Sequence, residues 1–531
     1  MLDLLIKNAT VIDGTGAPSY IGDVGIRGDR IALNTGDEPA KAEIDGTGLC
    51  VCPGFIDAHS HGDIILGRDF ARMTKTSQGI TTEITGQCGS SMFPVIPGHI
   101  DEVKGMLSTC TTEFPEEFEE FSSFEKFGEY ADHVGLSANT KMLIGHGSLR
   151  VSVMGYQNRK CTEEELNRMK AAVREAMESG ALGISSGLIY SPSCFADTEE
   201  LIELSKVVAE YGGIYCTHMR NESYDVVNAV KEALRIGKEA NVPVFISHHK
   251  VQGRPNWGLC NETLALVSQA IEEGQKVTLD QYPYLASMTT LAAIIPPMYF
   301  GKSLSGLTEM LGDEEMKKKI KADILNPDLE FENQYLNCGG WENIAIASLV
   351  NNPEFNGMSI AEAAEEMGVD GFEALFYLLR NNNCTGTAIY HSMCDEDLCQ
   401  IFMYPETVVG TDGLYRFWGE KAHPRAWGTF PHAINHFHKE KKLLSLEAMI
   451  HKITLLPAER VMLEERGAIK DGWFADLVVF DYDNLIDKAD YKHPDELCEG
   501  IEYVIVNGEI VYHDKQMTGN LPGRLLRHHG K

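Results

Sequence analysis

Short apolar runs alternate with amphipathic segments through the middle of the chain. The clearest amphipathic segment covers residues 161–180, where apolar residues recur at helical spacing. Thr162 and Glu165 are spaced as a capping box at its start, and Gly180 is a typical residue for its end. This pattern predicts a helix with one buried face.

The apolar runs are short enough to be strands, and several end in a polar or reactive residue. Strands that alternate with helices favour a parallel sheet closed into a (β/α)8 barrel. A doubly wound open sheet is the alternative. In both folds the chemistry belongs at the carboxyl ends of the strands. The eight predicted strand segments are residues 51–61, 79–89, 140–148, 180–190, 212–220, 242–250, 276–284 and 406–413.

The two ends of the chain have a different pattern, with short strand-like runs separated by glycine and aspartate turn signals. They predict a small β-sandwich domain formed by residues 1–52 and 466–531. The barrel then occupies residues 53–465. The stretch at about residues 291–390 is longer than one crossover between a strand and a helix needs, and we interpret residues 291–354 as an insertion. The insertion either lies over the barrel mouth or is a surface excursion.

Composition narrows the class of protein. The formal net charge is -32, and such a surface repels nucleic acid and acidic membranes. No apolar run approaches the ~18 residues that a membrane-spanning helix needs. The amino-terminal run turns polar too early for a signal peptide. The 13 cysteines have no paired spacing and indicate reduced thiols. We therefore expect a cytoplasmic protein that binds neither nucleic acid nor membrane.

His59 and His61 follow the first predicted strand in the run PGFIDAHSH. Residues two apart on a strand share one face, so both imidazoles can point at the same place. Imidazole is a common ligand of zinc-like metals. The pair is a candidate metal site because it stands at a strand end, whereas an isolated pair of this kind is a weak signal.

Other candidate ligands follow the second, fifth and sixth strands. Cys88 stands in TGQCGS, where its thiolate can bind a divalent ion that lowers the thiol pKa. His218 ends the run YCTHMR. Spacing does not decide whether His248 or His249 faces the mouth in FISHHK. If His248 is the ligand, Lys250 shares its face and also enters the site.

Asp412 stands in VVGTDG at the end of the eighth predicted strand. Aspartates before glycine are usually turn formers. At this strand end, opposite the histidine pair, the carboxylate can take a proton from a metal-polarised water and return it to a leaving nitrogen. Asp412 is therefore the candidate general acid and base.

Together these motifs resemble the N-acyl-D-amino-acid deacylase (D-aminoacylase) family of the amidohydrolase superfamily. The resemblance runs through PGFIDAHSH, Cys88, THMR, SHHK, DQYPY, GTDG, HPRAWGTF and LPGRLLR, in order along nearly the whole chain. The fourth strand, GALGISSGLIY, has no lysine, which disfavours the types that use a carboxylated lysine. The segment at residues 294–350 is longer than the family pattern.

The resemblance implies roles for individual residues. Cys88, His218 and His248 would bind one zinc ion tightly. His59 and His61 would form a second, weaker or facultative site, and Asp412 would be the general acid and base. The substrate carboxylate would be held by Lys250, Arg425, Tyr190, Tyr282 and Ser287.

The resemblance implies zinc-dependent hydrolysis of an N-acyl-D-amino acid to a D-amino acid and a carboxylate. The D preference comes from the resemblance alone. Two alternatives stay open: a cyclic amidase or dipeptidase on the same barrel, and a barrel scaffold without catalysis. The expected partner is a small molecule with a carboxylate, and the sequence leaves the oligomeric state open.

Overall fold

The computed structural model describes residues 1–111, 113–300, 304–414 and 420–530 of the chain. Its centre is a parallel eight-stranded sheet whose strands follow one another in chain order. Each of the eight predicted strand segments overlaps one of these strands, and seven of the segments contain the whole strand. In order the strands are Phe55–Asp57, Ile80–Thr85, Asn139–Gly145, Gly183–Gly187, Ile214–His218, Val244–Ile246, Val277–Gln281 and Thr407–Val409. They are named barrel strands one to eight below.

The sheet closes into a barrel because its first and last strands meet. The Ala58 amide donates to the Val409 carbonyl (3.2 Å), and the Asp412 amide donates to the His59 carbonyl (2.8 Å). This closure confirms the predicted (β/α)8 barrel and excludes the alternative, a doubly wound open sheet. A closed barrel brings the carboxyl ends of distant strands to one face, where side chains from several strands meet.

Helices surround the barrel, and the predicted amphipathic helix is among them. It runs Glu163–Glu178, and Thr162 and Glu165 form the expected capping box. Met169, Val173 and Met177 are buried on its inner face. The helices outside the excursion are Asp69–Thr76, Ile100–Leu107, Phe124–Val134, His146–Met154, Glu163–Glu178, Thr198–Glu210, Val226–Ala240, Cys260–Glu272, Asp395–Met403, Arg425–Ala433, Leu446–Ile453 and Leu455–Arg460, with a π-helical turn at Ile434–Glu440.

Both ends of the chain build one β domain, as predicted. Strand Cys50–Pro53 joins the two ends, because it pairs with Leu2–Val11 on one side and with Leu477–Phe480 on the other. The strands form one nine-stranded sheet. Its other members are Tyr20–Arg27, Arg30–Ala32, Ala40–Asp45, Ile501–Val506, Glu509–His513 and Gln516–Met517. The domain limits 1–52 and 466–531 stay predictions.

A long excursion separates barrel strands seven and eight. Its antiparallel sheet consists of strands Ala286–Thr290, Ile344–Ser348 and Thr387–His391. These strands extend the excursion on both sides of the predicted range 291–354. Its helices are Leu304–Met310, Glu314–Ile324, Gln334–Cys338, Ile360–Met367 and Gly371–Asn381. Within the described ranges, the helices are all too short or too polar to cross a membrane.

Candidate metal centre and active site

The predicted metal ligands and the predicted proton shuttle all lie at the carboxyl ends of barrel strands. His59 follows strand one, Cys88 follows strand two and His218 ends strand five. His248 follows strand six and Asp412 follows strand eight. All five residues are buried. The barrel therefore gathers residues that are far apart in the sequence.

Three residues of the site have an unusual backbone conformation. Cys88, His248 and Asp412 have φ angles of 52°, 35° and 45°. These angles lie in the left-handed region, which residues other than glycine rarely adopt. A Cβ atom at Gly187 would lie 2.2 Å from the Cys88 carbonyl oxygen, so glycine permits the close approach of two strand ends. Such strained positions concentrate at functional sites.

Four donor side chains meet at one point. The Cys88 Sγ atom is 3.3 Å from both His59 Nε2 and His248 Nε2. The Asp412 Oδ1 atom is 3.5 Å from His59 Nε2. One donor atom from each of the four residues lies within 4.8 Å of all the others. These separations are those of ligands around a single small cation.

His61 and His218 flank this group on two sides. His61 Nε2 is 3.1 Å from Asp412 Oδ1. The His218 ring centroid is 4.4 Å from that of His248, and within the described part of the chain neither nitrogen of the His218 ring has a hydrogen-bond partner. His218 also forms a second compact donor group with His248 and Glu222. Two adjoining donor groups share His248.

The donor set fits zinc. Burial lowers the pKa of His218 and of His248 well below the usual value, so both rings are neutral and offer lone pairs. Burial raises the pKa of the Cys88 thiol well above its usual value, and the Asp412 carboxylate adds to this effect. A buried thiolate here needs a cation beside it. Imidazole, thiolate and carboxylate are the ligands that zinc takes in proteins.

Asp412 is ionised although it is buried. Burial alone would raise its pKa, but the Arg425 guanidinium, with the hydrogen bond to His61, holds the pKa well below the usual range. Arg425 Nη1 lies 2.9 Å from Asp412 Oδ2. The carboxylate is therefore held as a proton acceptor within reach of the donor group.

Sequence reasoning missed two carboxylates that orient these ligands. Asp280 Oδ2 is 3.2 Å from His59 Nδ1, and Asp280 Oδ1 accepts the His248 amide at 2.8 Å. Glu222 Oε1 is 2.9 Å from His248 Nδ1. Carboxylates behind ligand imidazoles fix the ring and its tautomer. The available signals were the position of Asp280 near a strand end in DQYPY and the position of Glu222 four residues after His218.

Asp57, which belongs to the PGFIDAHSH motif, holds the loop that presents Asp412. Its carboxylate accepts the Thr411 amide at 2.8 Å and the Thr411 hydroxyl at 2.7 Å. Lys75 Nζ lies 3.0 Å from the same carboxylate. Strands one and eight are thus tied together directly beneath the site.

A cavity of about 440 Å³ opens onto the donor group. Tyr190, Tyr282, Ser287 and Lys250 line it, together with the metal-ligand candidates His61, Cys88, His218 and His248. The hydroxyls of Tyr282 and Ser287 are buried and have no hydrogen-bond partner among the described residues, whereas the Tyr190 hydroxyl accepts from Thr289 at 3.0 Å. Unpaired buried hydroxyls are costly and mark a place for a polar ligand.

The two predicted carboxylate-binding cations already have anionic neighbours. Lys250 Nζ donates to Glu222 Oε1 at 2.6 Å and lies 2.7 Å from His248 Nδ1. The buried Arg425 guanidinium lies 4.6 Å from the centre of the Tyr282 ring, next to Asp412. Both cations are thus at the site, and each is shared with a carboxylate of the protein.

The structure also resolves two points that spacing left open. His248 faces the donor group, whereas His249 points away and its Nε2 lies 2.8 Å from the Thr263 hydroxyl. The excursion contributes Pro297, Phe300 and Glu332 to the cavity wall. It therefore borders the mouth and is not a remote surface feature.

An enclosed donor cluster at this end of such a barrel is the arrangement of metal-dependent barrel enzymes. A family model described as the amidohydrolase family matches residues 42–322 and 407–512. The chain belongs to the amidohydrolase family.

Relatives within the family match the whole chain. The D-aminoacylase of Alcaligenes xylosoxydans xylosoxydans is 37% identical over 99% of this chain and 97% of its own length. The N-acyl-D-aspartate deacylase of the same organism is 35% identical over 99% and 95%. A solved structure of N-acyl-D-glutamate deacylase from Bordetella bronchiseptica, complexed with zinc and a phosphonate inhibitor, has a TM-score of 0.83 and 32% identity and covers 99% of both chains.

We predict that Asp280→Asn weakens metal binding by about 10- to 100-fold, because His59 loses the carboxylate that fixes its ring. Metal retained during dialysis against a chelator measures the effect. Asp397→Asn is the matched control, since Asp397 is a buried carboxylate that accepts the Gly258 amide outside the site. Equal metal retention in Asp280→Asn and the wild type would contradict the role of Asp280.

Proposed function

We propose that this protein hydrolyses N-acyl-D-amino acids to a free D-amino acid and a carboxylate in a zinc-dependent reaction. The main support is the buried group of imidazole, thiolate and carboxylate donors around Asp412, at the inner end of the cavity. Relatives that match the full chain and are named deacylases of N-acyl-D-amino acids support the substrate class.

We assign the tightly bound zinc to Cys88, His218 and His248, and a second, weaker site to His59 and His61. The short contact of Cys88 with His248, and the lack of a hydrogen bond from either His218 nitrogen to a described residue, support the first assignment. When bound, zinc polarises an amide carbonyl and lowers the pKa of a bound water molecule toward ~7.

Asp412 moves the protons in the proposed reaction. Its Oδ1 atom faces His61 and His59, whereas Oδ2 is held by Arg425. Oδ1 accepts a proton from the attacking water, and the same oxygen then donates it to the departing nitrogen. Arg425 keeps the carboxylate ionised before the reaction, so it starts as a base.

The remaining predicted residues recognise the substrate carboxylate. The hydroxyls of Ser287 and Tyr282 donate to it, and Tyr190 lines the same cavity; in support, neither of the two hydroxyls has a hydrogen-bond partner in the described ranges. Lys250 and Arg425 supply positive charge. That charge is needed locally, because the protein has a net charge of -32 and an anionic substrate must approach it.

We also propose a cytoplasmic enzyme. All 13 cysteines lie within the described ranges and none forms a disulfide. Reduced cysteines in this number are typical of a cytoplasmic protein.

A substrate panel tests the proposed activity. We expect the zinc-loaded enzyme to release free D-amino acids from N-acetyl and N-formyl D-amino acids, measured by an amine-specific assay. Hydantoins, dihydroorotate and dipeptides are the matched alternatives on the same barrel. Turnover of these alternatives or of L-isomers, with none of the D-isomers, would refute the proposal. Absence of any turnover together with absence of bound zinc would favour a non-catalytic scaffold.

Asp412→Asn should keep its zinc and lose about 10²- to 10⁴-fold in kcat, because the amide cannot accept and return the proton. Metal analysis and steady-state kinetics on the same preparation separate the two effects. A wild-type rate in the zinc-loaded variant would remove the proton-transfer role from Asp412.

Ser287→Ala should raise KM for N-acyl-D-amino acids by about tenfold or more, because a hydrogen bond to a charged carboxylate contributes roughly 1.5–3 kcal/mol. The Ser287 hydroxyl forms no hydrogen bond with any residue that the structure describes, so folding should not change. Substrates whose carboxylate is converted to an amide provide the comparison. Equal increases in KM for acids and amides would argue against carboxylate recognition.

A further inference from the structure

A second cluster of possible metal ligands lies outside the candidate active site. Asp395 and Cys399 are one turn apart on the helix Asp395–Met403, so they share one face. His436 approaches them from the π-helical turn Ile434–Glu440. One oxygen, one sulfur and one nitrogen atom of these three side chains lie within 4.8 Å of each other.

The geometry of His436 is that of a metal ligand. Its Nε2 atom lies 2.9 Å from Asp395 Oδ1, and the Cys399 Sγ atom lies 3.8 Å from the same oxygen. Its other nitrogen, Nδ1, is 3.4 Å from Glu440 Oε2. Ligand imidazoles usually have a carboxylate behind them that fixes the ring in this way. π-Helical turns are rare and frequently occur at functional sites.

We propose that Asp395, Cys399 and His436 form an additional site for a divalent cation of the zinc type, separate from the catalytic centre. Mixed oxygen, sulfur and nitrogen donors favour zinc over calcium or magnesium, which prefer oxygen alone. Asp395 and His436 keep 30% and 16% of their side-chain surface exposed, so a cation can enter from solvent. A fourth position remains for water.

A cation in this site joins the two segments that flank barrel strand eight. The helix Asp395–Met403 precedes that strand, and the helix that begins at Arg425 continues into the turn that holds His436. The site therefore braces the strand that presents Asp412. Its action on the enzyme is on stability and not on the reacting atoms.

Lys441 provides an internal competitor. Its ammonium group pairs with the second oxygen of Asp395. An ammonium at this position opposes a divalent cation by charge repulsion. Removing it should therefore strengthen metal binding, whereas a cluster that is only a surface ion-pair network would not respond in this way.

The test is metal counting on the enzyme with its resident zinc. At saturating micromolar free Zn²⁺, equilibrium dialysis should show one more zinc per chain in the wild type than in Cys399→Ser or His436→Gln. Lys441→Met should bind this zinc about fivefold more tightly, corresponding to the loss of a surface ion pair. Cys161→Ser, which removes a partly exposed thiol elsewhere, should keep the wild-type count.

Co²⁺ titration gives a second measurement. The extra cobalt should add a thiolate-to-cobalt charge-transfer band that Cys399→Ser lacks and Cys161→Ser retains. At low free metal, Cys399→Ser should turn over substrate at the wild-type rate. This result would show that the variant lacks the additional cation and keeps an intact catalytic centre. Identical metal counts and cobalt spectra in the wild type, Cys399→Ser and His436→Gln would overturn the proposal.

Discussion

The structure depends on the burial of several electron-pair donors close to one point. The donor atoms of His59, Cys88, His248 and Asp412 are buried close together. Lone pairs and negative charge repel at such separations, and low-dielectric surroundings strengthen the repulsion. A cation relieves it. The left-handed backbone at Cys88, His248 and Asp412 is the cost in strain of directing these side chains inward.

Carboxylates and cationic side chains surround this donor group. Asp280 and Glu222 lie behind the imidazoles, and Lys250 and Arg425 lie beside carboxylates. Glu222 and Asp412 each have a cationic neighbour, which is the condition for keeping ionised groups in an interior. A substrate carboxylate that enters this network meets cations already fixed in place. Preorganised charge of this kind needs little rearrangement when the substrate binds.

Much of the fold could be predicted from the sequence because its signals are local. Eight apolar runs predicted the barrel strands, and Thr162 with Glu165 predicted where a helix begins. The histidine pair at His59 and His61 was visible because spacing along a strand decides which face a side chain takes. These patterns need no knowledge of the rest of the chain.

The unpredicted parts depend on tertiary contacts. Asp280 and Glu222 give only weak signals in the sequence, and their roles appear only when strands five, six and seven lie side by side. The choice between His248 and His249 depends on one positive φ angle, which no periodicity encodes. The sheet of the excursion pairs residues near 290 with residues near 387, so its limits follow from long-range pairing.

The bond between the Asp412 amide and the His59 carbonyl joins an early part of the polypeptide to a late one. During translation the ribosome releases the histidine pair long before the eighth strand exists. A nascent chain therefore contains the predicted metal ligands His59 and His61 before the closed barrel exists to bury them. Loading of the complete centre follows synthesis of strand eight, and a product truncated before it is a chain without an enclosed catalytic centre.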